Sequence, residues 1–143
     1  MTSTRRVTIA LTALAIGTAS LATVATGAAP APGPGRAFRI DAGGPGGAGW
    51  RRDTAAAPSP YVDPSATRTA RHGVAVDLTH PSVPEGTPES LFDTERWATP
   101  AGDGMRWSFP AAPGSYTVRL YLAETFAPAQ AEGARVFDVS LEG

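Results

Sequence analysis

The chain has 143 residues, 42% of them hydrophobic, and a formal net charge of −1, which suits one globular domain and is small for two. It contains no cysteine, so disulfides, thiolate metal sites and cysteine nucleophiles are excluded and stability must come from packing. Lysine and asparagine are also absent and all twelve basic residues are arginine, a usage expected of a GC-rich bacterial, for instance actinobacterial, genome.

Residues 1–29 open on Arg5 and Arg6, continue through an apolar stretch from Val7 to Val24, and end in small residues from Ala25 to Ala29. This is the layout of a cleavable export signal peptide. The stretch is rich in Ala, Thr and Gly and no basic cluster follows it, which argues against a membrane anchor. The arginine pair matches a twin-arginine signal only loosely, so Sec and Tat routes both stay open. The expectation is a secreted or wall-associated protein with no stable membrane insertion after cleavage. What remains carries ten arginines against thirteen acidic residues, a charge of −3, which does not suit nucleic acid. Residues 30–36, dominated by Pro30-Ala31-Pro32-Gly33-Pro34-Gly35, read as a linker. The domain is expected to occupy residues 37–143.

From there apolar residues recur with period two: Phe38 and Ile40; Val74, Val76 and Leu78; Met105, Trp107 and Phe109; Tyr116, Val118, Leu120 and Leu122; Phe137, Val139 and Leu141. Such alternation predicts half-buried antiparallel strands and an all-β fold. The turn-rich segment 110–115 predicts a hairpin joining the third and fourth of them. A short helical turn is expected near Thr87 as cap, with Pro88 at its first position and Leu91 and Phe92 pointing inward. Segments 43–70 and 79–87 hold most of the Pro and Gly and read as long loops over a rigid sheet.

Most chemical motifs in the chain dissolve on inspection. Gly44-Pro45-Gly46-Gly47-Ala48-Gly49 matches GxGxxG, but Pro58 and Pro60 come too soon for the helix a dinucleotide site needs. A glycine-rich turn is the better reading. Glu95 and Glu124 can be imagined as the paired carboxylates of a glycosidase, yet pairing with an arginine or capping local backbone at a sheet edge explains each better. His72 and His80 have no second ligand at metal spacing, and no spaced acidic loop supports calcium. No cofactor is expected. Trp50, Tyr61, Trp97, Tyr121 and Phe126 stand at loop or strand-end positions, where aromatic faces can stack on sugar rings. Trp107 and Tyr116 are expected in the core.

Four segments carry a family resemblance: Asp41-Ala42-Gly43-Gly44, Thr94-Glu95-Arg96-Trp97, Tyr121-Leu122-Ala123-Glu124, and Val136-Phe137-Asp138-Val139-Ser140-Leu141-Glu142-Gly143. In order and spacing they resemble the malectin domain over residues 37–143. The resemblance implies a jelly-roll-like antiparallel β-sandwich of the galactose-binding-like kind, with a sugar pocket built by loops at one end. Animal malectin binds glucosylated oligosaccharides through aromatics and an aspartate. Trp97 stands where a sugar-stacking tyrosine follows Thr-Glu-Arg, and Phe126 where another aromatic follows the Ala-Glu pair. With Glu124 of that pair and His72, they are the candidate carbohydrate-binding residues. Two positions depart from the family pattern: His72 stands for a tyrosine and Ala127 for an aromatic.

The family domain continues past the Phe-Asp-Val strand, and its ligand-contacting aspartate lies in that continuation. The expected fold is therefore a sandwich incomplete at its C-terminus, a fragment of a longer reading frame, with residues 37–143 alone marginally stable. About five strands are countable where a jelly roll needs about eight. The implied function is non-catalytic binding of an oligosaccharide or polysaccharide, glucose-containing sugars being the first candidates, within a larger multidomain protein. The alternatives are a structural or adhesion module without sugar binding, or an accessory part of a glycoside hydrolase.

Overall fold

The computed structural model describes residues 5–13, 37–98 and 104–141. Its regular elements are seven strands and two single-turn 3-10 segments, so the described chain is all-β. The strands are β1 (Arg5–Ala13), β2 (Ile40–Ala42), β3 (Arg51–Asp53), β4 (Thr67–Arg71), β5 (Thr94–Ala98), β6 (Met105–Ala111) and β7 (Phe137–Leu141). They form three small sheets: β6-β1-β7, in that order, and the pairs β2-β3 and β4-β5.

Packing follows from the alternation on β6, where Met105 and Trp107 are buried while Arg106 and Ser108 are exposed. With Tyr61 and Val62 they make the hydrophobic core, against which Phe38, Ile40, Ala42, Ala98, Phe109 and Val118 pack. The rings are arranged as their quadrupoles favour: Phe38 meets Tyr61 edge-on at 5.0 Å, and Trp107 and Phe109 are parallel at 6.2 Å. Segment 61–63 runs along one edge of β6, with Ser108 N–H donating to the Tyr61 carbonyl and Asp63 N–H to that of Arg106. The other edge of β6 is taken by β1.

That double occupancy explains the largest departure from expectation. Residues 116–122 alternate as a strand should, yet they adopt no strand, and Tyr116, expected in the core, is 50% exposed. A strand needs a ladder partner as well as a pattern. With both edges of β6 filled, the turn at 110–115 cannot return the chain against it, and the expected hairpin does not form. Only Val118 of this run reaches the core.

Residues 74–78 are likewise irregular, because the β4–β5 ladder ends at Arg71↔Thr94 and offers nothing further to pair with. Conversely, the expected loop 43–70 contains β3 and most of β4, whose sequences lack apolar alternation. β3 pairs with β2 in parallel, not antiparallel, after a tight glycine-rich turn in which Gly46, Gly47 and Gly49 take positive φ. The helical turn near Thr87 is a 3-10 turn over Glu89–Phe92 that buries Phe92. Pro88 lies just outside it, and Thr87 donates its hydroxyl to the Pro84 carbonyl instead of capping.

β1 falls inside the expected signal peptide and is the central strand of the largest sheet. The linker at 30–36 lies outside the described residues.

Candidate functional site

The polar centre of the domain is a buried ion pair. Asp53, at the end of β3, is fully buried, and Arg96, in the middle of β5, is 8% exposed. Arg96 donates Nε to Asp53 Oδ2 at 2.5 Å and Nη2 to Oδ1 at 2.7 Å, a two-pronged contact that a planar guanidinium is built to make. Its Nη1 donates to Thr67 Oγ1 on β4 at 2.9 Å. Asp53 also accepts the N–H groups of Gly43 and Ser59. One carboxylate thus ties together β3, β5, the turn after β2 and the segment leading to Tyr61.

The glycines of the Asp-Ala-Gly-Gly run serve this junction. Gly43 has φ +91°, and a Cβ there would overlap the Glu95 carbonyl oxygen on β5. Asp41 is buried, accepting Gly46 N–H at 2.8 Å on Oδ2 and leaving Oδ1 unpartnered. Burial pushes the Asp41 carboxyl above its ordinary range, and the nearby charges of Asp53 and Asp93 add to this, while the Gly46 hydrogen bond acts the other way.

Because side chains alternate along a strand, the residues flanking Arg96 turn to the opposite face of β5. Glu95 and Trp97 are both half-buried there, with Ala70 and Arg68 as their cross-strand partners on β4. His72, just past β4, joins the same face through Nε2···Oε1 of Glu95 at 3.0 Å, and its backbone N–H is held by the Asp93 carbonyl. The charge of His72 is the smallest of the causes that lower the Glu124 carboxyl. Glu124 accepts Arg135 Nε at 2.5 Å and Phe126 N–H at 2.9 Å. The Phe126 ring is exposed.

Phe126 and Arg135 thus meet at Glu124, and His72 meets Glu95. Trp97 shares a face of β5 with Glu95, two residues before it. Among the other aromatics, Tyr61 is a core residue, and Trp50 packs edge-on against Tyr121 at 5.2 Å. Two participants escaped the sequence reading: Arg135, which neutralises Glu124, and Glu95 as the partner of His72. No spacing rule couples positions 72 to 95 or 124 to 135, so only the fold shows them.

Glu124 does not have the electrostatics of a general acid. Burial alone would raise the Glu124 carboxyl, but the hydrogen bonds from Arg135 and Phe126 N–H, with the charges of Arg135 and His72, hold it below the usual range. A general acid needs the opposite shift. Among the described residues no group of His, Asp or Glu side chains is placed to hold a metal ion.

The malectin domain family model matches residues 37–143. The chain belongs to the malectin domain family. Malectin domains are non-catalytic carbohydrate-binding modules, which agrees with the ionised, cation-paired state of Glu124. No curated protein and no solved structure matches the chain. Within this malectin domain, Asp-Ala-Gly-Gly and Thr-Glu-Arg-Trp meet at one junction: Gly43 packs against Glu95 and donates its N–H to Asp53, which pairs with Arg96. No helix among the described residues is long and apolar enough to cross a membrane.

Proposed function

We propose that this malectin domain is an exported carbohydrate-binding module with a jelly-roll-like sandwich architecture, and that His72, Trp97, Glu124 and Phe126 contact the sugar. The observation that carries the reading is that Trp97 shares a half-buried face of β5 with Glu95, to which His72 is bonded, while an exposed Phe126 stands beside the Glu124–Arg135 pair. Aromatic faces take the C–H faces of a pyranose while fixed charged groups take its hydroxyls, and neither needs a reaction. Glucose-containing oligosaccharides and bacterial wall glycans are the first ligands to try, and export follows from the layout of residues 1–29.

One observation favours a second reading, a structural or adhesion module. The charged groups among these residues already satisfy one another, His72 with Glu95 and Glu124 with Arg135, so a sugar hydroxyl must compete with bonds in place.

Tryptophan fluorescence titration with gluco-oligosaccharides and wall glycans separates the two. Saturable quenching that is lost in Trp97→Ala, with the circular dichroism spectrum unchanged, supports the sugar module. No response across the panel from folded protein supports the structural one.

A further inference from the structure

Among the described residues β7 has a single ladder partner. Its ladder partner is β1, which it meets antiparallel from Ile9↔Leu141 to Ala13↔Phe137. The opposite edge of β1 pairs with β6 from Arg5↔Ala111 to Leu11↔Met105. With one strand between them, β6 and β7 stand about 9–10 Å apart, twice the normal strand spacing and too far to hydrogen-bond directly.

The register matches on both sides. Val7, Ile9 and Leu11 stand opposite Phe109, Trp107 and Met105 of β6; Ile9, Leu11 and Ala13 stand opposite Leu141, Val139 and Phe137 of β7. The alternate positions oppose polar partners: Thr8 with Ser108, Ala10 with Arg106 and Ser140, Thr12 with Asp138. A shift by one residue in either direction would set Ile9 against Ser108 or Arg106 on β6 and Leu11 against Asp138 or Ser140 on β7. Residues 5–13 also suit an extended conformation, with Val7, Thr8, Ile9 and Thr12 β-branched and no Pro or Gly.

We propose that the space between β6 and β7 is a strand-acceptor site, and that Arg5–Ala13 is its occupant while the N-terminal segment remains attached. The segment completes the sheet as a donor strand does in β-augmentation, with backbone hydrogen bonds giving affinity and the alternating residues fixing register. The 23 residues from 14 to 36 tether it in cis, which keeps its effective concentration high. Removing it opens both ladders, unpairs the edge of β6 that β1 covers, and frees β7. An N-terminal segment with the chemistry of an export signal thereby holds the sheet in a state that its cleavage ends. Only this last point rests on the export reading given above; the acceptor site does not.

The test uses the full 143-residue chain and hydrogen–deuterium exchange of peptides covering 105–111 and 137–141. Ile9→Pro removes an N–H donor from the middle of β1, while Thr18→Pro, outside the strand, is the control. Exchange in both peptides should accelerate about tenfold or more in Ile9→Pro, a change equivalent to ~1.4 kcal/mol of local stability, and stay unchanged in Thr18→Pro. Because Ile9→Pro can fail to fold, a specific protease site placed within 30–36 supplies a second readout. After cleavage of the folded wild type, the N-terminal piece should co-elute with the domain, and exchange at 137–141 should rise when it is stripped off in mild urea. Equal exchange in wild type and Ile9→Pro, or immediate separation of the clipped piece with no change at 137–141, overturns the proposal. Retention of residues 1–29 in protein recovered from a secreting bacterium would remove the cleavage step alone and leave the exchange result standing.

Discussion

Arg96→Met tests the buried junction most directly. The substitution leaves Asp53 fully buried with two N–H donors, from Gly43 and Ser59, and without its cation. Removing one partner of a buried pair typically costs about 3–5 kcal/mol, a large share of the ~5–15 kcal/mol that holds a domain folded. Arg96→Lys returns a charge but not the planar fork that reaches both carboxylate oxygens and Thr67 Oγ1, so a loss of about 2 kcal/mol is expected. Asp53→Asn/Arg96→Met removes the stranded charge and should be more stable than Arg96→Met alone. Urea unfolding followed by tryptophan fluorescence reads all three, Trp107 being buried in the adjoining core. Arg96→Met within ~1 kcal/mol of wild type, or a double variant less stable than the single, would refute the reasoning, since a paired buried charge cannot be that cheap to orphan.

Gly43→Ala should cost roughly 1–3 kcal/mol from its backbone conformation alone, and more through overlap with the Glu95 carbonyl; Gly47→Ala, with φ +129° but open space around it, should show only the strain. The two urea midpoints compared at one pH decide this. Trp107→Ala should lose about 3–5 kcal/mol by opening the core, whereas Tyr116→Ala should stay within ~0.5 kcal/mol because that ring is half in solvent; equal losses would mean that residues 116–122 pack as a strand after all. Glu124 has a lowered folded-state pKa, so its contribution is complete above the unfolded value near 4.5 and is lost as pH falls through the folded one. The stability difference between wild type and Glu124→Gln, under about 1 kcal/mol for a pair this near the surface, should therefore shrink between pH 5 and pH 3 in parallel denaturation curves.

How much of this was legible in the sequence depends on whether a feature is carried by one segment or by two. Met105, Trp107 and Phe109 announce β6 because its core face is written in its own alternation, and the family motifs announce the domain because their order is linear. β3 and β4 are invisible by the same rule: Arg-Arg-Asp and Thr-Arg-Thr-Ala-Arg contain no apolar stripe, and what makes them strands is Asp53 and Thr67 meeting Arg96 across 43 and 29 residues of chain. The candidate site divides in the same way. Trp97 and Phe126 could be picked out as aromatics at strand ends, but Glu95 and Arg135 acquire their roles only from partners far along the chain.

Residues 116–122 show the converse, a sound pattern that goes unused. Their alternation is as regular as that of β6, yet a strand forms only where an edge is free to receive it, and segment 61–63 and β1 hold the two edges of β6. The same competition explains why an apolar N-terminal stretch can be read as an export signal and also found as a central strand. Alternating Val7, Ile9 and Leu11 suit either fate, and in the structure residues 5–13 are the strand between β6 and β7. Periodicity specifies what a segment can do, and the availability of backbone partners decides which of those things it does.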